Sequence, residues 1–242
     1  MLVDATFRAQ DIDDNKIRPY WAVVIDVLRA TTTITTALGS GCRALIPALE
    51  PEEARQRAAA WARHNGSHPL LGGERKARPI PGFDLGNSPQ MYTAERVGGR
   101  VVFFTTTNGT RALRRCHTTR GTICACLRNA AAVAAYLVRR NANLVMLACS
   151  GREGHVAPED VAVAGVVARH LAALTHVQFT PATREAVALA ESVHDWGSFF
   201  CSVPAGRSLL DIGLHPDVTF CAQPDTSYVI PRYRRGAVIA GG

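Results

Sequence analysis

Four short segments gather carboxylates, hydroxyls, guanidiniums and glycines, each where an apolar, strand-like run gives way to a turn or helix. They are IDVLRATTT from Ile25 to Thr33, GGER from Gly72 to Arg75, GFDLGNSP from Gly82 to Pro89 and TTTNGTR from Thr105 to Arg111. A packed domain has little structural need for an Asp at the end of Val23-Val24-Ile25, or for three threonines ahead of Asn-Gly-Thr-Arg. Such groups at strand ends are what a phosphate and a hard divalent cation require. The pattern reads as that of an enzyme.

Asp26 follows an apolar strand, so a sheet would hold its carboxylate at the rim, where it can ligate a cation or attack phosphorus. The structural alternative is a cap on the following helix. Arg29 is in reach of the same helix start, and a bidentate guanidinium suits phosphate or carboxylate. Thr31, Thr32 and Thr33 are poor helix formers in a row, which makes sense if hydroxyls or amides are wanted there. Thr107, Asn108, Gly109, Thr110 and Arg111 repeat the logic of strand, glycine turn and helix N-terminus, with Asn-Gly turn punctuation and a threonine cap as the alternative. The segment is no Walker A loop, because Gly-Lys-Ser/Thr is absent. Glu74 and Arg75 could equally be a surface ion pair. Asp84, Asn87 and Ser88 lie among turn formers, where Asx turns are common. Glu159 and Asp160 follow Pro158, where acids also favour a helix macrodipole.

Two phosphatase templates fail. A haloacid-dehalogenase-type nucleophile needs a second Asp two positions on, where Leu28 stands after Asp26. A cysteine phosphatase needs an Arg six positions after its Cys; after Cys149 that position is His155.

Composition narrows the class. The 242 residues suffice for a sizeable core, and 47% hydrophobic with 19% charged residues is ordinary for a globular protein. The net charge of +7 comes almost wholly from arginine, lysine occurring only at Lys16 and Lys76. Basic residues are spread and aromatics sparse, so nucleic acid is not the expected partner; a small anionic phosphate ester is. No apolar run approaches a membrane span and no signal peptide is evident, so a cytoplasmic protein without a membrane partner is expected. A homodimer is expected on base rates. Seven cysteines without C-x-x-C or H-E-x-x-H argue against a disulfide framework or structural zinc, leaving most as small buried hydrophobes.

The elements that must position these groups alternate. Strands are predicted at 21–25, 44–47, 101–105, 121–126 and 144–149. Helices are predicted at 31–38, 51–64, 110–116, 130–140 (capped by Asn129), 158–174 and 183–193. The segment 69–89 reads as a functional loop or lid, and 209–232 as turns with two short strands. The alternation predicts an α/β protein: a mostly parallel or mixed sheet layered by helices, α/β/α, with ligands at the carboxyl ends of strands. A single catalytic unit over 1–242 is expected, or two intertwined α/β halves meeting near 120–130.

Taken together the segments resemble the 2-phosphosulfolactate phosphatases, the ComB family of Mg²⁺-dependent phosphatases. IDVLRATTT, GER (73–75), GFDLGNSP, TTNGTRA (106–112) and Glu159-Asp160 followed by Ala164-Gly165 occur in family order over most of the chain. The segment 127–129 and Cys149-Ser150-Gly151 depart from the family pattern, and 176–206 matches it poorly. The resemblance implies Mg²⁺-dependent hydrolysis of 2-phospho-3-sulfolactate to 3-sulfolactate and phosphate. The implied cation site draws on Asp26, Glu74, Asp84, Glu159 and Asp160. Asp26 and Arg29 would be catalytic, Asp26 as nucleophile or metal ligand. Thr31, Thr32, Arg75, Asn87, Ser88, Thr107, Asn108, Gly109, Thr110 and Arg111 would bind phosphate or substrate. The alternatives are a phosphatase for another 2-hydroxy-acid phosphate and a non-catalytic binder of phosphorylated metabolites.

Overall fold

The computed structural model describes residues 1–241; Gly242, the last residue of the unit expected over 1–242, lies outside the described residues. One mixed sheet organises the chain. Its strands are β1 (Leu2–Thr6), β2 (Trp21–Ile25), β3 (Ala44–Pro47), β4 (Leu70–Arg75), β5 (Arg78–Pro79), β6 (Val101–Thr105), β7 (Gly121–Ala125), β8 (Leu144–Cys149), β9 (Gln178–Phe179), β10 (Ile230–Arg234) and β11 (Ala237–Gly241). Their spatial order is β5-β4-β6-β3-β11-β10-β7-β2-β8-β1-β9. β9, β1, β8, β2 and β7 form one parallel block, and β3, β6 and β4 another. The β10–β11 hairpin joins them, antiparallel to β7 on one side and to β3 on the other.

The helices are α1 (Ala30–Gly39), α2 (Pro51–Asn65), α3 (Ala94–Val97), α4 (Gly109–Arg115), α5 (Ala130–Arg139), α6 (Pro158–Leu174), α7 (Pro181–Ser192), α8 (Trp196–Ser202), α9 (Pro204–Leu210) and α10 (His215–Cys221). Strand alternation divides the core into two faces. Val23, Ile25, Ile123, Ala125, Val145 and Leu147 pack with α5 and α6. Ala22, Val24, Cys124, Met146 and Ala148 pack with α1 and α4 on the other side. Both faces of the parallel strands are thus covered, which is why these strands read as continuous apolar runs. The layered α/β/α arrangement is the expected one. No helix among the described residues is long and apolar enough to cross a membrane.

The structure departs from the sequence reading at several places. β1, α8, α9 and α10 were not foreseen, and the supposed loop 69–89 contains the strand β4 and the short β5. Asn129 is the N-cap residue of α5 as expected, but its side chain makes no capping bond: Oδ1 accepts from Cys126 N at 2.8 Å and Nδ2 donates to Val229 O at 2.9 Å.

Because the connecting strands alternate in direction, the two parallel blocks run in opposite senses. In a flat sheet the carboxyl ends of β2 and β4 would lie on opposite edges and six steps, at least about 29 Å, apart at ~4.8 Å per strand. They line the same pocket instead, so the sheet is strongly twisted and coiled. That curvature is what assembles the site.

Candidate active site

A pocket of about 560 Å³ opens at the carboxyl ends of β2, β4, β6 and β8. Of the residues singled out in the sequence, Asp26, Arg29, Glu74, Asn87, Thr107, Asn108, Glu159 and Asp160 line it. Asp26 is the residue after β2, and its Oδ1 accepts from Ala30 N at 3.3 Å. Gly109 opens α4 directly against it: a Cβ there would lie 2.7 Å from Asp26 Oδ2 and 2.6 Å from the Ala30 Cβ. Glu159 and Asp160 enter from the first turn of α6.

The carboxylates fall into two groups by what their oxygens do. Both oxygens of Glu74 are taken by backbone, Thr107 N on Oε1 and Ala77 N on Oε2, each at 2.8 Å. Asp160 is held likewise, by Val27 N at 2.8 Å and the Ser150 hydroxyl at 3.0 Å. These two brace the loops around the pocket. Glu159 is different, because its Oε2 is buried with no hydrogen-bond partner. Burial pushes Asp26 up to about 6, with the charge of Glu74 adding and the bonds from Ala30, Ser150 and Gly109 opposing. Burial pushes Glu159 up to about 7, with the charge of Asp26 adding and Arg152 opposing. Burial, then the charges of Asp26 and Glu159, holds Asp160 well above the usual carboxylate range. Three neighbouring buried acids with raised proton affinity are a costly arrangement, which protonation or an opposite charge relieves.

Four buried polar atoms on this pocket wall lack any partner among the described residues: Asn87 Oδ1, Thr107 Oγ1, Glu159 Oε2 and Arg152 Nη1. Buried polar groups in folded proteins are almost always paired. A cluster of orphans on one concave surface marks where a ligand belongs.

The remaining nominated residues have other partners. Thr31 and Thr32 donate back to Asp26 O and Val27 O, and Thr33 to Asn87 O, so these hydroxyls tie the turn into α1 and do not line the pocket. Thr110 donates to Thr106 O within its own turn. Asp84 is exposed and accepts from Leu71 N at 2.8 Å. Arg75 spans Leu49 O, Glu74 O and the Thr105 hydroxyl, and Arg111 pairs with Glu50 while 62% exposed. Ser88 donates to Asp217 Oδ1. Arg29, the pocket arginine nearest Asp26 in sequence, donates to Asp217 Oδ2 and to Ala77 O. The Ala77 peptide is therefore gripped on both sides, by Arg29 at its carbonyl and by Glu74 at its N–H.

A family model described as 2-phosphosulpholactate phosphatase matches residues 6–236 of this chain. The chain belongs to that family, whose members are phosphoric monoester hydrolases. A probable 2-phosphosulfolactate phosphatase of Symbiobacterium thermophilum is 41% identical over 228 residues, covering 90% of this chain and 93% of the relative. A protein of the same description from Deinococcus radiodurans is 40% identical over 225 residues, 93% of this chain and 92% of its own. One from Clostridium acetobutylicum is 33% identical over 240 residues, 99% of this chain and all of its own.

Within this member of the 2-phosphosulfolactate phosphatase family the pocket also contains residues that sequence reasoning passed over: Lys76, Ser150 and Arg152 on its wall and Asp217 behind it. Ser150 and Arg152 follow the end of β8, at the Cys149-Ser150-Gly151 segment that departs from the family pattern. Asp217 gave no signal at all, lying in a short helix that only the tertiary fold brings to Arg29. Gly165 of the Ala-Gly pair serves packing: a Cβ there would meet Ala186 O of α7 at 2.0 Å.

Proposed function

We propose that the protein is a Mg²⁺-dependent phosphatase that hydrolyses 2-phosphosulfolactate to sulfolactate and phosphate. The observation that carries the reading is the convergence of Asp26 and Glu159, two buried carboxylates with raised affinity for protons, on a wall that also holds four unpartnered polar atoms. The substrate is taken from the names of the relatives; the reaction class is supported by the family and by the pocket's chemistry.

The residues present fit a hard cation. Glu159 Oε2 is an acceptor without a donor, and Asp26 is its charged neighbour. Among the described residues no three ligating side chains form a ready-made cage. Mg²⁺ suits that donor set, because it keeps several waters and takes one or two carboxylates together with substrate phosphate. Asp26 and Glu159 would hold it, while Glu74 and Asp160, whose oxygens are already engaged, keep the loops in place. When bound, the cation supplies Lewis-acid stabilisation of negative charge on the phosphoryl group.

The chain's own groups do the rest. The Thr107 hydroxyl and the Asn87 side chain are buried on the pocket wall with unused hydrogen-bonding capacity, suited to orienting a phosphoryl group and attacking water. Arg29 is buried and locked by Asp217 and Ala77, so its positive charge is fixed before substrate arrives, as electrostatic preorganisation requires. The apolar side chains of Leu28, Ala205, Leu209 and Ile212 in the pocket lining lower the local dielectric and strengthen each of these interactions.

The test is phosphate release from 2-phosphosulfolactate and a panel of 2-phospho-hydroxy acids, with Mg²⁺ and with EDTA. Release that is fastest from 2-phosphosulfolactate and abolished by EDTA is expected. Asp26→Asn and Glu159→Gln should each lower it by roughly 10³-fold or more while leaving a folded protein. Release only from another ester would replace the substrate, and release insensitive to EDTA would remove the cation. No release from any ester by folded, Mg²⁺-replete protein would favour a non-catalytic binder of phosphorylated metabolites.

A further inference from the structure

We infer that Arg152 is the specificity-determining residue of the pocket: it binds the anionic group of the substrate that is not transferred, the carboxylate or sulfonate, and Ser208 positions it. This rests on the proposed function and assigns that function's second anion.

The argument begins with which guanidiniums are available. Arg29, Arg75 and Arg111, the arginines at the sequence clusters, are each committed to partners within the chain. Lys76 and Arg78 reach the pocket from an exposed hairpin tip, where water satisfies them. Arg152 alone among these combines a place on the wall with a buried N–H that has no acceptor. It makes no ion pair with any described carboxylate. A desolvated guanidinium nitrogen without an acceptor costs free energy that an incoming anion recovers.

The side chain is also held ready. Arg152 begins a tight hairpin in which Arg152 N donates to His155 O at 2.9 Å and His155 N returns the bond to Arg152 O at 2.8 Å. Glu153 and Gly154 take φ of +49° and +84° at its tip, the backbone of a two-residue type I′ turn. Glu153 N donates to Asn108 Oδ1 at 3.3 Å, which ties this hairpin to the β6–α4 turn. At the far end of the side chain, Nη2 donates to Ser208 Oγ at 2.9 Å, and Ser208 in turn donates to Pro204 O at 3.0 Å. One edge of the fork is thus fixed on α9 and Nη1 is left for the ligand. Arg152 also lowers the proton affinity of Glu159, so its charge is felt at that carboxylate. An anion bound there would sit beside the reacting phosphate without competing for the same oxygens.

Calorimetric binding of 3-sulfolactate, which carries both anions and no phosphate, reads this subsite whether or not any ester is hydrolysed. Wild type is expected to bind, and Arg152→Gln to weaken binding about 10- to 100-fold. Ser208→Ala should weaken it by less, with Arg152→Lys giving partial recovery over Arg152→Gln because it keeps the charge but loses the fork. In turnover, kcat/KM of Arg152→Gln should fall more for 2-phosphosulfolactate than for ethyl phosphate, chiefly through KM. The phosphate esters of lactate and of 2-hydroxyethanesulfonate, one anion each, then show which group Arg152 holds. Should wild type hydrolyse none of these esters yet bind sulfolactate through Arg152, the proposed function fails and the subsite stands. Absence of sulfolactate binding to wild type, equal binding by wild type and Arg152→Gln, or an equal loss on all four esters overturns the assignment. If Arg152→Gln does not fold, the comparison is made with Arg152→Lys and Ser208→Ala, and unchanged binding in both is the overturning result.

Discussion

Arg29 and Asp217 form an ion pair at 2.5 Å between side chains that are each 3% exposed, although 188 positions separate them in the chain. The pair joins the turn that carries Asp26 to α10, behind the pocket wall, and Ser88 adds a second bond to Asp217. From Arg29 the connection continues through Ala77 to Glu74 and on to Thr107 N. Three strand ends and a helix are tied by one run of hydrogen bonds.

Asp217→Ala strips this run of its anchor and leaves a buried guanidinium without a counter-charge. Unfolding in urea should show a loss of about 3–5 kcal/mol, against a smaller loss when Arg29 and Asp217 are replaced together by Met and Leu. A single substitution costing under about 1 kcal/mol would mean that the pair is not buried in solution.

Gly109→Ala tests the approach of α4 to the loop that carries Asp26. The added methyl meets Asp26 Oδ2 and the Ala30 Cβ at 2.7 and 2.6 Å, so Asp26 must move. Displacement of a reacting group by a fraction of an ångström lowers turnover steeply. Phosphatase assays should show a fall of about 10²-fold or more, with the protein still folded by circular dichroism.

The pH dependence follows from Asp26 and Glu159, raised from 3.8 to about 6 and from 4.5 to about 7. Between those limits the folded chain holds more protons than the unfolded chain, so stability falls as pH rises. In EDTA, Tm should therefore decline from about pH 4 to about pH 7 and level off above. Asp26→Asn should flatten the profile. Mg²⁺ should raise Tm more at pH 8 than at pH 5, because protons compete for the same oxygens; equal shifts at both pH values would argue against these ligands.

Lys76 and Ala77 stand at φ of +51° and +63°, a left-handed pair where a two-residue hairpin ordinarily carries Asn-Gly. Left-handed backbone costs a residue with a Cβ about 1 kcal/mol or more. Ala77→Gly removes that cost while keeping the N–H and carbonyl that Glu74 and Arg29 hold. Calorimetry should show Tm raised by roughly 2–4 °C; a lowered Tm would place the strain elsewhere.

The buried parallel strands were legible because each is a short apolar run with both faces covered. β4 was hidden by its glycines, which elsewhere mark loops. Here Gly72 leaves room for the Tyr92 hydroxyl and Gly73 for Thr105 O, contacts at 2.5 and 1.9 Å from where a Cβ would stand. α8, α9 and α10 have seven residues each, too few to display a helical period. The clusters led to the pocket because their polar residues follow the strands that end there. What they could not disclose was the division of labour within them. Thr31 and Thr32 carry hydroxyls that a ligand could use, yet those hydroxyls close the turn into α1. Glu74 and Glu159 are the same side chain; one is saturated by backbone donors and the other is left open, a difference set entirely by tertiary contacts.

The hairpin of Ile230–Arg234 and Ala237–Gly241 lies at the centre of the sheet although ribosomes make it after every other strand. Until it emerges, β3 and β7 present open ladders, the kind of edge that recruits other chains. Each parallel block can pair its own strands without the hairpin, but the two are drawn into one curved sheet, with the pocket between their strand ends, only when β10 and β11 slot in. Competence for chemistry in this sense waits on the hairpin, the latest strands of the sheet in chain order.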